Sequence, residues 1–275
     1  MVFLLFQNMI RFIVDTPRSA AFNMAADQFL LEQCFDTGTV YVRFYLWAEP
    51  TITLGYMQKP DEVLDLRKVR EDQISWIKRP TGGRAVLHDK DLTYSCIFPN
   101  NFPGMGSTVQ QSYQIITDCL LYGLVSLGVP CQAHDSYEDY LNLKREVKLP
   151  CFLAPNRDEI MVNGKKLVGS AQRRSTKGVL QHGSIPFSDR YRRLPLYLNV
   201  SEKEKEKHQI LLGSKSIGLQ EIDRNITYEN LIRAFQEGFI TRLGQPWTRL
   251  DWTDDEQCRV YDLSRSDEFG NQWLC

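Results

Sequence analysis

The 275-residue chain lacks several features that would place it in a common class. No two of its seven cysteines (Cys34, Cys96, Cys119, Cys131, Cys151, Cys258 and Cys275) stand in a CxxC pair, and the count is odd. Neither a zinc site nor a disulfide framework is therefore expected. Charge of one sign is not in excess. The 33 Lys and Arg against 34 Asp and Glu leave a formal net charge of −1, which argues against nucleic acid as a partner. No apolar run is long enough to span a bilayer, so no membrane partner is expected. The opening MVFLLFQNMIRF is broken by Gln7 and has no small-residue cleavage site after it; it reads as a first strand, not a signal peptide. Internal repeats, low-complexity linkers and Walker or GxGxxG loops are missing too. What remains is an ordinary apolar content of 43%, enough for a sizeable core, and free thiols that fit a reducing, cytoplasmic setting.

Hydrophobic periodicity gives an α+β chain, with strands in the middle forming a mixed or antiparallel sheet and helices flanking it. Ile10 to Val14 reads as strand and SAAFNMAADQFLLEQCF as helix. Asn23 and Asp27, one turn apart, could face a site, but a solvated helix face is the expectation. Val40–Trp47 and Thr51–Gln58 are strand-like, and Arg43 among apolar neighbours predicts one wet face. Asp61–Glu71 is a short charged helix. Ile74–Pro80 is a strand running into a Thr81-Gly82-Gly83 turn, after which RAVLHD and LTYSCIFP continue as a hairpin or bulged pair. Thr108–Leu127 is a helix with a Thr108 cap, and Gln132–Pro150 a polar loop or weak helix. Asn163-Gly164 is the strongest hairpin signal, and LVGSAQRR and GVLQHGSIPF are two further strands. Asp189–Leu198, the solvated EKEKEK segment and Thr227–Leu243 are helical; the tail from Trp247 carries little signal.

Chemistry-bearing residues gather in two stretches. In the first, Cys151 follows a charged segment and Pro150, a loop or strand-end setting unlike that of the helical Cys119. A thiol becomes a nucleophile when a cation or backbone amides stabilise its thiolate. The roughly fifteen residues from Cys151 to Lys166 accommodate a strand, a turn and a return, so the hairpin could fold a lysine back towards the sulfur. Lys165 and Lys166 point to opposite faces, one wet and one able to enter a site, where an ammonium would stabilise a thiolate or an oxyanion. A pair of ordinary hairpin lysines fits the same pattern. In the second stretch, RPTGGRAVLHD, Gly82 and Gly83, flanked by Arg79 and Arg84, permit close backbone approach to a ligand and free amides for hydrogen bonding. His88 beside Asp89 could be a base with its orienter, or structural. The same holds for His182, where the neighbouring Gly183 hints at a close approach.

Taken in order, FNMAADQFLLE, RFYLW, TLGYMQ, RPTGGRAVLHD, NGKKLVGSAQRR and VLQHGSI resemble the catalytic domain shared by lipoate-protein ligases, octanoyltransferases and biotin protein ligases, over Phe22 to Ile240. The resemblance implies that family's α+β fold and one catalytic domain over residues 1–275, with a core at about 34–248. CFLAP before NGKK is most similar to the LipM type of octanoyltransferase. It implies an acyl-thioester on Cys151, with Lys166 lowering the thiol's pKa. Transfer would run from octanoyl-acyl carrier protein to a lysine of a lipoyl domain such as the glycine-cleavage H protein, with no metal and no cofactor. Arg79, Gly82, Gly83, Arg84, His88, Gly169, Ser170, His182 and Gly183 would bind substrate. Backbone amides near Gly83 or Gly169 would suit an oxyanion, and Arg79, Arg84, Arg173 and Arg174 could meet acidic carrier domains. The alternative is an ATP-dependent lipoate-protein ligase, in which Lys166 and Gly82-Gly83 hold an acyl-adenylate, ATP and Mg are required, and Cys151 is incidental. Arg157-Asp158 replaces the aromatic pair common in related transferases.

Overall fold

The computed structural model describes residues 9–133, 159–266 and 269; Cys151, the segment before it and Arg157-Asp158 lie outside the described residues. The largest sheet holds β1 (Ile10–Val14), β2 (Val40–Tyr45), β6 (Asp91–Phe98), β10 (Gly169–Ser175), β11 (Gly178–Pro186) and β12 (Trp247–Arg249), in the order β10-β11-β6-β2-β1-β12. β1 runs parallel to β2 and β12, and the other neighbours are antiparallel. A second sheet sets β3 (Thr51–Leu54) between β4 (Ser75–Lys78) and β5 (Val86–His88). A third joins β7 (Cys131–Ala133), β8 (Ile160–Val162) and β9 (Lys165–Lys166). The expected α+β class with a mixed sheet is what forms.

Both faces of the large sheet are covered. α1 (Ala20–Thr37) starts at Ser19, whose side chain accepts from the Phe22 N–H, and ends at the left-handed Gly38. It packs Ala25, Phe29 and Leu30 on Ile13, Tyr41, Tyr45, Ile97 and Leu180, with α7 (Asp254–Ser264) beside it. The alternate side chains Phe12, Val42, Phe44, Tyr94 and Cys96 point the other way, into α4 (Val109–Ser126) and α6 (Tyr228–Leu243). Those two helices touch backbone to backbone: a Cβ at Gly238 would run into the Cys119 carbonyl oxygen. The short helices α2 (Pro60–Val63) and α3 (Leu66–Glu71) cover the second sheet, where Val63 and Val69 join Ile52 and Leu54 in one cluster. α5 (Glu202–Lys215) sets Leu212 against Val86 of β5. Among the described residues, buried side chains run from Ile10 to Phe269.

This double cover corrects three expectations. β2 has no wet face, because it sits between β1 and β6 with helices on both sides, and Arg43 is fully buried. Asn23 and Asp27 are fully buried as well, on the side of α1 that meets the sheet. RAVLHD and LTYSCIFP are not a hairpin pair: β5 pairs with β3, and β6 pairs with β2 and β11. The left-handed Lys90 (φ 62) turns the chain from one sheet into the other. The strand expected over Thr51–Gln58 stops at Leu54. The weakly patterned tail supplies β12, α7 and a bidentate contact of Arg11 with Glu256 (2.6 and 2.8 Å). The Asn163-Gly164 hairpin forms as expected, both residues with positive φ (49 and 73).

Candidate active site

A cavity of about 360 Å³, counting its open mouth, lies between the six-stranded sheet and the second sheet. Thr53, Arg79, Val86 and His88 line it from the small sheet; Gly169, Ser170, His182, Gly183 and Ser184 line it from the large one. Met24, Tyr45, Trp47, Thr93 and Ala171 complete the wall. Six of the expected site residues (Arg79, His88, Gly169, Ser170, His182 and Gly183) are thus brought together. Gly82, Gly83, Arg84 and Lys166 are not among its lining residues.

His88 is held on three sides. Its Nδ1 lies 2.8 Å from Asp91 Oδ2, its Nε2 lies 3.0 Å from Thr53 Oγ1, and the Trp47 ring stacks on it at 4.3 Å between centroids. The expected orienter, Asp89, is not its partner. Asp89 faces Arg190 (3.4 Å) and Arg193 (3.9 Å) instead. Adjacent residues at a strand end diverge, whereas the turn at Lys90 returns Asp91 to the imidazole.

His182 forms a second, similar arrangement. Nδ1 meets Asp27 Oδ2 at 3.3 Å and Nε2 meets Thr81 Oγ1 at 2.6 Å. Burial pushes the His182 pKa below its ordinary value, against the opposing pull of the Asp27 carboxylate, so the ring is neutral near pH 7. Burial alone would raise the Asp27 pKa; the hydrogen bond from His182, then Arg43, and a hydrogen bond from Ser95 outweigh it and hold the carboxyl below the usual range. Arg43 bridges Asp27 (3.0 Å) and Asp15 (2.7 Å) and donates to Asn23 Oδ1 (2.7 Å). A buried charge needs this much pairing.

The Gly-Gly loop owes its shape to Arg79 and Gly55. Arg79 donates to the carbonyls of Thr53 (3.1 Å), Gly82 (2.8 Å) and Arg84 (2.8 Å), so it braces the loop from inside and does not present itself to a carrier domain. A Cβ at Gly55 would run into the Gly83 carbonyl oxygen, so the loop at Gly83 lies directly against the residue that follows β3. Gly183 has its close approach too, to the Tyr94 ring and the Gly169 carbonyl. Ser170 Oγ bonds Tyr94 Oη at 2.7 Å. Arg174 is half-buried and donates to the Gly106 and Thr108 carbonyls at the start of α4, while Arg173 is exposed over the Tyr56 ring.

Lys166 is buried, and its Nζ pairs with Glu159 Oε1 at 2.5 Å. Lys165, on the other face of β9, is half-buried, so the two lysines divide as strand geometry requires. Among the described cysteines, burial pushes Cys34 and Cys119 up to about 12, Cys131 up to about 11 and Cys96 well above its ordinary value. None of these four is a thiolate at neutral pH.

Trp47, Thr53, Thr81, Asp91, Thr93, Ser184 and Glu159 escaped the sequence reading as site residues, and Asp27 entered it only as the lesser alternative to a solvated helix face. Two signals were present. A lone Arg43 in an apolar strand called for buried carboxylates, and Asp91 lies three residues from His88 across a turn.

Residues 19–240 match the family described as the lipoyl protein ligase A/B catalytic domain, and the chain belongs to that family. Curated relatives carry the name octanoyltransferase LipM: the Bacillus cereus protein is 38% identical over 93% of this chain and 94% of its own length, and the Bacillus subtilis protein is 33% identical over 96% of each. Among solved structures, a lipoate-protein ligase A bound with ATP superposes with a TM-score of 0.78 at 19% identity, covering 96% of this chain and 98% of that one. The bipartite lipoate protein ligase of Thermoplasma acidophilum, solved with its E2 lipoyl domain, gives 0.78 at 18%, covering 98% of both. These two establish the fold.

Proposed function

We infer that the protein is an octanoyltransferase of lipoate biosynthesis, an acyltransferase that works through a thioester on Cys151. The observation that carries this reading is the 33–38% identity to curated octanoyltransferases along nearly the whole chain. The buried ammonium of Lys166 adds to it. Lys166 ends β9, and Gly169-Ser170 of the cavity wall follow three and four residues later.

In the first half-reaction the Cys151 thiolate attacks the carbonyl of an octanoyl thioester on acyl carrier protein, and the carrier's thiol leaves. Lys166 favours the ionised sulfur. In the second, the ε-amine of a lipoyl-domain lysine takes the acyl group as an amide and the Cys151 sulfur departs. Thioester to amide is downhill, so the reaction consumes no ATP. Acceptors of the H-protein kind and a cytoplasmic setting complete the proposal; among the described residues no helix is long and apolar enough to cross a membrane.

The test mixes the protein with octanoyl-acyl carrier protein and an apo lipoyl domain. The Cys151→Ala variant should lose transfer. Retained octanoylation by that variant, driven by free octanoate and ATP, would favour a ligase.

A further inference from the structure

Two rings of the cavity wall are built alike, and one has an arrangement that the thioester chemistry leaves unused. Asp91 Oδ2 accepts from three neighbours at once: His88 Nδ1 (2.8 Å), Ser184 Oγ (2.6 Å) and Thr93 Oγ1 (3.1 Å). The Trp47 indole N–H donates to Thr93 Oγ1 at 2.8 Å, which leaves the Thr93 hydrogen for Asp91. On the other side of His88, Arg79 Nη1 donates to Thr53 Oγ1 at 3.2 Å, so the Thr53 hydrogen points at His88 Nε2. Donor and acceptor roles then follow around the whole chain of bonds. Nδ1 of His88 carries a proton held by Asp91, and Nε2 presents its lone pair. Among the described residues Asp91 Oδ1 has no hydrogen-bond partner; the three bonds to Oδ2 are what fix the carboxyl group behind the ring.

An imidazole oriented by a buried carboxylate, with its second nitrogen bonded to a hydroxyl in the wall of a cavity, has the geometry of a general base once that hydroxyl gives way. The first half-reaction has no call for one, because a thiolate attacks. The second does, since a lysine amine must lose a proton as its amide forms. We propose that His88 Nε2 takes that proton in the amide-forming half-reaction, with Asp91 as its positioning residue. The amine nitrogen forms its bond to the acyl carbon, the carbon–sulfur bond breaks, and Cys151 leaves as thiolate. The departing N–H proton passes to Nε2 in place of the Thr53 hydrogen bond. The imidazolium is stabilised by Asp91 and later returns its proton to solvent. The charged groups around the ring are Asp91 on β6 and Arg79 behind Thr53; His182 also faces it from β11. Asp27 and its ion pair belong to His182, not to His88.

This rests on the thioester reading, and the two are tested apart. Octanoyl-enzyme is made with octanoyl-acyl carrier protein and followed by intact mass, then chased in a single turnover with an apo lipoyl domain. In H88Q and D91N the chase should slow about 100-fold, at least tenfold more than adduct formation does, and Asp91→Glu should recover part of the loss. Hydroxylamine at high concentration brings its own base, since a second unprotonated molecule takes the N–H proton that the hydroxamate loses; the same variants should surrender their acyl group to it at near the wild-type rate. Chase rates equal to wild type, or equal slowing with both nucleophiles, would overturn the role of His88. If D91N does not fold, H88Q alone decides. A wild-type protein that forms no adduct at all overturns the thioester reading, and this proposal with it.

Discussion

Lys166 and Glu159 form a contact of 2.5 Å between side chains that are 3% and 1% exposed. Two opposite charges taken out of water together are tolerable; one alone is not. Replacing Lys166 by Met or Glu159 by Leu singly should therefore cost about 3–5 kcal/mol of stability. The double variant should recover much of that while remaining inactive. Urea denaturation of the four proteins of the cycle measures it. A double variant as unstable as the sum of the singles would mean that the lost stability comes from something other than the broken pair.

The same hairpin bears on the cysteines. If Lys166 lowers the Cys151 pKa, iodoacetamide at neutral pH should label Cys151 ahead of Cys258, which is exposed, and well ahead of Cys34 and Cys119, which burial holds at about 12. Lys166→Met should slow labelling of Cys151 selectively. Peptide mapping against time reads both, and a Cys151 rate indifferent to Lys166 would refute the coupling.

His182 predicts a pH dependence. Its folded pKa lies below the ordinary 6.5 because burial disfavours the imidazolium. The unfolded chain therefore binds the proton more readily, and stability falls as pH drops below about 6.5 towards the folded value. Asp27 adds a second loss at lower pH: its folded pKa lies under 3.8, so its contribution is present above 3.8 and vanishes as pH falls through the folded value. In H182Q the first decline, beginning at about pH 6.5, should flatten. Denaturation midpoints measured from neutral pH downwards check it.

Glycine substitutions separate a tight approach from an open one. Gly183→Ala would press a methyl into the Tyr94 ring (2.6 Å) and the Gly169 carbonyl (2.7 Å), which should cost about 1–3 kcal/mol and distort the cavity wall. Gly213 lies in α5 with nothing within 4 Å of its Cβ position. Gly213→Ala should stabilise by about 0.5–1 kcal/mol. Melting temperatures moving in opposite directions would bear this out; a neutral Gly183→Ala would not.

Local signals in the sequence carried most of the fold. Asn163-Gly164, the Thr108 cap and the apolar spacing of α1 each act within a few residues, and each element formed where it was expected. Pairing across distance was harder to read. Arg43 looked half-wet because alternation reports a polar residue, not what lies opposite it, and its partners Asp15 and Asp27 come from elsewhere in the chain. The His88 orienter was misplaced by two residues for a related reason: one left-handed residue, Lys90, decides which carboxylate returns. The short strand β12 owes its place to β1, not to its own composition.

The most direct measurement is the mass of the intact protein after mixing with octanoyl-acyl carrier protein, followed by peptide mapping. The account predicts a single octanoyl addition, removed by hydroxylamine and located on Cys151, that vanishes when the apo lipoyl domain is added. An unmodified protein, or an acyl group on any other residue, would contradict it.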